Sequence, residues 1–283
     1  MNYRHAFHAG NFADVFKHVI LIGLLDALKA KPAPFCYVET HAGRGLYDLH
    51  DAQAQKTREY LDGVQRVIDA SDLPDALDIY VDLVRSFNTG ATTALACYPG
   101  SPMIAKRMLR EHDRAILCEL QDGEVTALKA SLLGDKRFAI HHRDGYAAMK
   151  ALLPPAQKRG LVLIDPPFEA QAIEYIHIEN ALADALAQWP NAIYAIWYPI
   201  KLRESVIPFK RWLRDHCGTS DVLVAEILLH PDNSPLRLNG CGTVIVNPPW
   251  RFERNLDDWL PRLAERLGNG AHARCRVEWL KLD

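Results

Sequence analysis

The sequence predicts an α/β fold: a largely parallel sheet with helices on both faces and one helical insertion. Three observations carry that expectation. Apolar runs ending in turn residues alternate with helical patterns, as RAILCEL, DGEVTALKASLL, KRFAIHH, DGYAAMKALL and GLVLID follow one another between residues 114 and 165. Strands alternating with helices build parallel sheets through crossover connections. Residues 50–96 contain no comparable strand, and after residue 220 two apolar runs are joined by a segment containing Asn233, Pro235 and Gly240.

In chain order, residues 12–30 (FADVFKHVILIGLLDALKA) set apolar side chains at helical spacing, and the pattern ends before Lys31-Pro32. FCYVET, residues 35–40, is the first strand and passes into the glycine turn HAGRG, 41–45. TREYLDGVQRVIDA and ALDIYVDLVRSF read as helices separated by the turn SDLPD. The expected division is therefore a main domain of residues 1–49 and 98–283 with an inserted helical subdomain at 50–97. YPGSP leads into the helix MIAKRMLRE, and the alternation above then resumes. Further strands are expected at 191–200, 221–230 and 241–249, with the helix VIPFKRWLRDH between the first two. The last two strands suit an antiparallel hairpin. A parallel sheet with that ending is typical of the class I S-adenosylmethionine-dependent methyltransferases (Rossmann-like) and atypical of nicotinamide-binding Rossmann domains.

Composition excludes several classes. The chain is 49% apolar and 24% charged, ordinary for a globular protein. No apolar run reaches the roughly 20 residues of a membrane span, and MNYRHAFHAGNFADVFKH is polar where a signal peptide is apolar, so a cytoplasmic protein without membrane contact is expected. Six cysteines without a C-x-x-C pair argue against a disulfide framework or zinc site. No metal is expected. A net charge of −2 argues against non-specific coating of nucleic acid, which rests on many Lys and Arg contacts to phosphate. Any RNA contact should be local.

The strongest chemical signal is DPPF, Asp165 to Phe168, directly after GLVLI. Ligands of open α/β sheets bind outside the carboxyl ends of the strands, so this carboxylate and ring face the cleft. An adenine N6 amine is a poor nucleophile because its lone pair is delocalised into the ring. Asp165 and the carbonyl of Pro166 can accept its two hydrogens and expose the lone pair, while Phe168 stacks on the extruded base. Base extrusion costs a few kcal/mol, and aromatic stacking returns about 1–3 kcal/mol. The plainer alternative is that two prolines end a strand and Asp165 caps the next helix. A second motif, NPPW at 247–250, falls in the terminal hairpin rather than on the fourth strand and is read as structural.

Glu119 ends the second main strand and can hold the hydroxyls of a ribose. Asp144-Gly145 ends the third, where an acid can accept from an adenine amine. Each acid alone could be a helix cap; together, before DPPF, they favour a nucleoside cofactor. Tyr3, Arg4, His5, His8, Lys17 and His18 cluster near the N-terminus, where the plain reading is a solvated basic face. Lys106, Arg107, Arg110 and Arg114 are similarly either phosphate contacts or surface charges.

At YRHAFHAGNFADVFKH, THAGRGLYDL, YPGSP, HHRDGY and IDPPFE, in that order along essentially the whole chain, the sequence resembles the RlmJ-type ribosomal RNA large-subunit methyltransferases, which modify an adenine N6 in 23S rRNA. The resemblance implies S-adenosyl-L-methionine as cofactor, held by His18, His41, Ser101, Glu119, Asp144, Gly145 and Asp165. It implies Asp165 as the catalytic residue, substrate contacts from Tyr3, Lys17 and Phe168, large-subunit rRNA as partner, and a monomer. The family commonly has Tyr where Phe168 stands. Amino-methylation of DNA or of a protein glutamine, a nicotinamide-linked oxidoreductase, and a silent RNA-binding protein are the alternatives.

Overall fold

The computed structural model describes residues 4–70, 73–88, 95–218, 220–268 and 272–280. Helix α1 (Phe12–Lys29) is capped by Asn11, whose side chain accepts from the Asp14 amide, and is buried along most of its length. Strand β1 (Cys36–Glu39) follows, and then β2 (Leu46–Asp48). Three helices come next, α2 (Ala52–Thr57), α3 (Val64–Ile68) and α4 (Asp75–Arg85). Strand β3 (Cys97–Pro99) pairs antiparallel with β2, so a two-stranded ladder carries the chain out to these helices and back.

The remainder alternates: α5 (Ser101–Met108), β4 (Arg114–Glu119), α6 (Asp122–Ser131), β5 (Phe138–His142), α7 (Gly145–Leu152), β6 (Gly160–Ile164), α8 (Gln171–Gln188), β7 (Ile193–Ile200), α9 (Ile207–His216), β8 (Val222–Leu228), β9 (Gly240–Val246), α10 (Phe252–Leu267) and β10 (Arg274–Trp279). The main sheet runs β10-β8-β9-β7-β6-β1-β4-β5. β5, β4, β1, β6 and β7 are mutually parallel. β9 lies antiparallel between β7 and β8, so the expected hairpin is present and is inserted into the sheet.

Side chains alternate between two cores. Leu161 and Leu163 of β6 join α1, α5 and α10 on one face, and Val162 and Ile164 join α8 and α9 on the other. Both faces are covered, which is why these strands read as continuous apolar runs. Three features depart from the sequence expectations. The helix expected over TREYLDGVQRVIDA is broken: Arg58 is left-handed at φ 54°, and Gly63 lies so close to Gly10 that a Cβ there would sit 2.1 Å from its carbonyl oxygen. The helix expected at 103–111 runs from Ser101 to Met108. Helices α8 and α10 and strands β2, β3 and β10 lie where no element was assigned.

One buried charge cluster shapes the rim of the sheet. Glu226 of β8 is fully buried and accepts from Tyr198 Oη (2.7 Å), Lys210 Nζ (2.7 Å) and Arg203 Nη1 (2.6 Å). Arg203 also reaches Asp232 at 3.0 Å, so the cluster ties β7, α9 and the β8–β9 loop to one carboxylate. Removing one partner of a buried ion pair leaves uncompensated charge and costs about 3–5 kcal/mol. Glu226→Ala is therefore expected to lose about that much in denaturant unfolding. A loss under about 1 kcal/mol, as for an exposed pair, would contradict this account.

Candidate active site

Asp165 stands just past the carboxyl end of β6, and across the cleft the first turns of α1 present Asp14, Lys17 and His18. Lys17 Nζ donates to Asp165 Oδ2 at 2.6 Å and lies 3.0 Å from Asp14 Oδ1. Asp14 Oδ2 in turn accepts from His5 Nε2 (2.9 Å) and from the Gly10 amide (3.0 Å). Burial works against the charge on Lys17, yet Asp165 and Asp14 hold its ammonium well above the ordinary lysine range. Burial likewise opposes the Asp14 carboxylate, while His5 and Lys17 hold it well below the usual value. Among the described residues, Asp165 Oδ1 and the Pro166 carbonyl accept no hydrogen bond.

His18 is fully buried and stacks on Tyr98, with ring centroids 5.5 Å apart. Its Nδ1 lies 2.8 Å from Tyr98 Oη, which lies 3.1 Å from Tyr80 Oη. Tyr80 Oη has no other hydrogen-bond partner among the described residues. The arrangement that orphans no buried hydroxyl hydrogen has Tyr80 donating to Tyr98 and Tyr98 donating to His18 Nδ1. His18 then carries its hydrogen on Nε2, the ring nitrogen left without a partner. Burial pushes His18 down to about 3 and His41 down to about 4, so both are neutral near pH 7.

The other expected cofactor residues gather along the strand tips. The turn after β1 contains Gly43 at φ 63°, and the Gly43 amide donates to Glu119 Oε2 at 2.8 Å. Glu119 Oε1 accepts from the amides of Leu120 and Gln121, both at 2.8 Å, so this carboxylate is fixed in place. Asp144 does cap α7, accepting from the Ala147 amide at 2.8 Å. A Cβ on Gly145 would lie 2.1 Å from the Thr40 carbonyl oxygen, so only glycine lets α7 start against the end of β1. Ser101 opens α5 and donates to Glu39 Oε1. His18, His41, Ser101, Glu119, Asp144, Gly145, Lys17, Asp165 and Phe168 all line one cleft of about 1300 Å³. Tyr3 lies outside the described residues.

The model of a known family, ribosomal RNA large subunit methyltransferase D (RlmJ), matches residues 32–281. The chain belongs to the RlmJ family. It is 37% identical over 282 residues to ribosomal RNA large subunit methyltransferase J of Escherichia coli, covering 99% of both chains. The protein of the same name from Haemophilus influenzae is 37% identical over 280 residues, again covering 99% of each. A solved structure from Legionella pneumophila superposes with a TM-score of 0.86 at 35% identity, covering 96% of this chain and 98% of that one.

In this RlmJ-family chain the N-terminal basic residues divide, with Arg4 exposed as a solvated face would have it and the others drawn into the fold. Lys17 and His18 are buried, and His8 Nδ1 meets the Glu59 carboxylate at 3.0 Å. Lys106, Arg110 and Arg114 bond to nearby carbonyls or to Asp113, the plainer of their two readings. Phe168 has φ 48° and is only 8% exposed; its ring meets Tyr175 and Trp197 edge to face at 5.4 and 5.8 Å. It shows the cleft little of its surface, and half-buried Trp197 lines the cleft beside it. Asn247 of NPPW donates to the Pro190 and Ala192 carbonyls, both at 2.8 Å, ahead of β7 and at the end of the sheet opposite Asp165.

Asp14, Glu39, Tyr98 and Trp197 were not singled out as site residues from the sequence. Asp14 carried a signal, since it precedes Lys17 by three positions, one helical turn. Burial pushes the Glu39 carboxyl up to about 8 from 4.5, although Ser101 donates to it. Its native proton is thus retained between about pH 4.5 and 8 while the unfolded chain loses it, so this contribution to stability is complete at low pH and fades as pH rises to about 8. Glu39→Gln lacks the titration. Denaturant unfolding across that window should show the variant gaining on the wild type as pH rises, and a pH-independent difference would contradict the shift.

Proposed function

We propose that this protein transfers a methyl group from S-adenosyl-L-methionine to the N6 amine of an adenine in 23S rRNA, acting as a cytoplasmic monomer. The observation that carries the reading is Asp165, held on one side by Lys17 and open on the other, in a chain whose relatives are named ribosomal RNA large subunit methyltransferases. The sequence division is retained: residues 1–49 and 98–283 form the methyltransferase domain, and 50–97 an inserted helical subdomain.

The residues present suit that cofactor. Glu119, whose Oε2 accepts one hydrogen bond among the described residues and keeps a second lone pair, suits a ribose hydroxyl, and Asp144 suits the adenine amine. The unpartnered Nε2–H of His18 suits an acceptor such as the carboxylate of the amino-acid end. His41, Ser101 and Gly145 complete the wall, the glycine through its backbone. When bound, the cofactor supplies a methyl group made electrophilic by a sulfonium.

The chain's own part is orientation. Asp165 Oδ1 and the Pro166 carbonyl accept the two hydrogens of the target amine and turn its lone pair toward the methyl group. Lys17 holds Asp165 Oδ2, so the carboxylate cannot rotate to offer its other oxygen. The proton leaves the amine with or after transfer, without a covalent enzyme intermediate. Phe168 and Trp197 wall the base pocket, and Tyr3 is assigned to the RNA side.

Labelled S-adenosylmethionine and rRNA from cells lacking the protein test the reading by nucleoside analysis. Label in N6-methyladenosine of large-subunit RNA is expected; label confined to DNA or protein would overturn it. Asp165→Ala should lower turnover about 100-fold or more, while cofactor affinity changes only a few-fold. Unchanged turnover would remove Asp165 from the mechanism.

A further inference from the structure

The cleft continues past Phe168 and Trp197 to a rim built from Pro199, Lys201 and the loop between β8 and β9. At the tip of that loop Leu236 is 93% exposed, and Arg237 beside it is exposed as well. A single exposed leucine is usually of no consequence. This one stands on a loop tied down at both ends. Asp232 meets Arg203 at 3.0 Å and Arg274 at 3.1 Å, and Asn233 bridges to Leu202. At the far end buried Asn239 donates to the carbonyls of Lys201 (2.6 Å) and Ser234 (2.7 Å), and its amide donates to that of Ile200 (3.0 Å). The Glu226 cluster anchors Arg203 in turn. The fold thus fixes the base of a loop whose tip offers an apolar side chain to solvent.

The charges fit a nucleic acid. Asp232, the acid of this loop, is occupied by two arginines, so among the described residues neither exposed Lys201 nor exposed Arg237, whose Nε donates to Asn239 Oδ1 at 3.1 Å, has an acid partner. A base reaches Asp165 only by leaving its stack, which costs a few kcal/mol and opens a gap between its former neighbours. Proteins that unstack bases fill such gaps with an apolar side chain and hold the flanking phosphates with Arg or Lys. Building on the function proposed above, we propose that Leu236 is the wedge that takes the place of the extruded adenine in the RNA stack, with Arg237 and Lys201 on the adjoining phosphates.

The test pairs two readouts on the full chain with Leu236→Ala and Leu236→Phe. The first is the fluorescence of 2-aminopurine, which brightens on unstacking, placed at the mapped target position of a short structured RNA. The second is single-turnover methyl transfer to the same RNA with adenine restored, and to a flexible strand in which that adenine is already unstacked. Binding of the wild type should brighten the probe, Leu236→Ala should abolish most of the rise and slow transfer about tenfold on the structured RNA only, and Leu236→Phe should restore both. A full fluorescence rise with Leu236→Ala, or equal slowing on both RNAs, overturns the wedge and leaves the activity standing. Failure of the wild type to methylate either RNA overturns the activity and the wedge together.

Discussion

The contact between Lys17 and Asp165 joins residues 148 positions apart and decides what the rest of the cleft can do. A buried ammonium is tolerated only when paired and hydrogen-bonded. Here Asp165 and Asp14 both accept from it, and His5 and the Gly10 amide hold Asp14. The pair can form only because α1 packs across the sheet beside β6. Gly23 lets α10 pack against the same helix: a Cβ there would lie 2.5 Å from the Trp259 ring of α10. A carboxylate fixed through one oxygen presents the other in a defined direction, which is what orienting an amine requires.

The inserted segment serves the same contact from above. Glu59 binds His8 and Asn11, and the Val64 amide donates to the Gly10 carbonyl, so residues 8–11 are clamped where they support Asp14. Tyr80 of α4 continues the hydrogen-bond line through Tyr98 to His18. The segment between β2 and β3 thus reaches Asp165 through Gly10 or Asn11, then Asp14 and Lys17, and reaches His18 through Tyr98 alone.

Much of this was legible in the sequence because it follows from pattern. The alternation after residue 114 gave the parallel strands, and DPPF after GLVLI marked the cleft. The long helix over 57–70 failed because propensity does not record that Gly63 must touch Gly10, a contact between segments far apart in sequence. Other omissions were readable. Tyr175, Ile178, Leu182 and Ala185 of α8 bury one helical stripe, and Arg274 to Glu278 alternate as an edge strand does. The roles of Lys17 and His18 were not readable from residue type, since a basic run before a helix is usually solvated and only the tertiary fold buries these two. Phe168 shows the converse: the motif suggested an open stacking platform, and Tyr175 and Trp197 cover most of the ring.

The most direct test of this account removes the ammonium and keeps the apolar stem, as in Lys17→Met, with single-turnover methyl transfer and cofactor affinity measured on the same preparation. If Lys17 fixes the carboxylate, transfer should slow by about 100-fold, the scale of a misplaced catalytic group, while cofactor affinity stays within a few-fold of wild type. Transfer at the wild-type rate would show that Asp165 needs no such partner and would contradict the account at its centre.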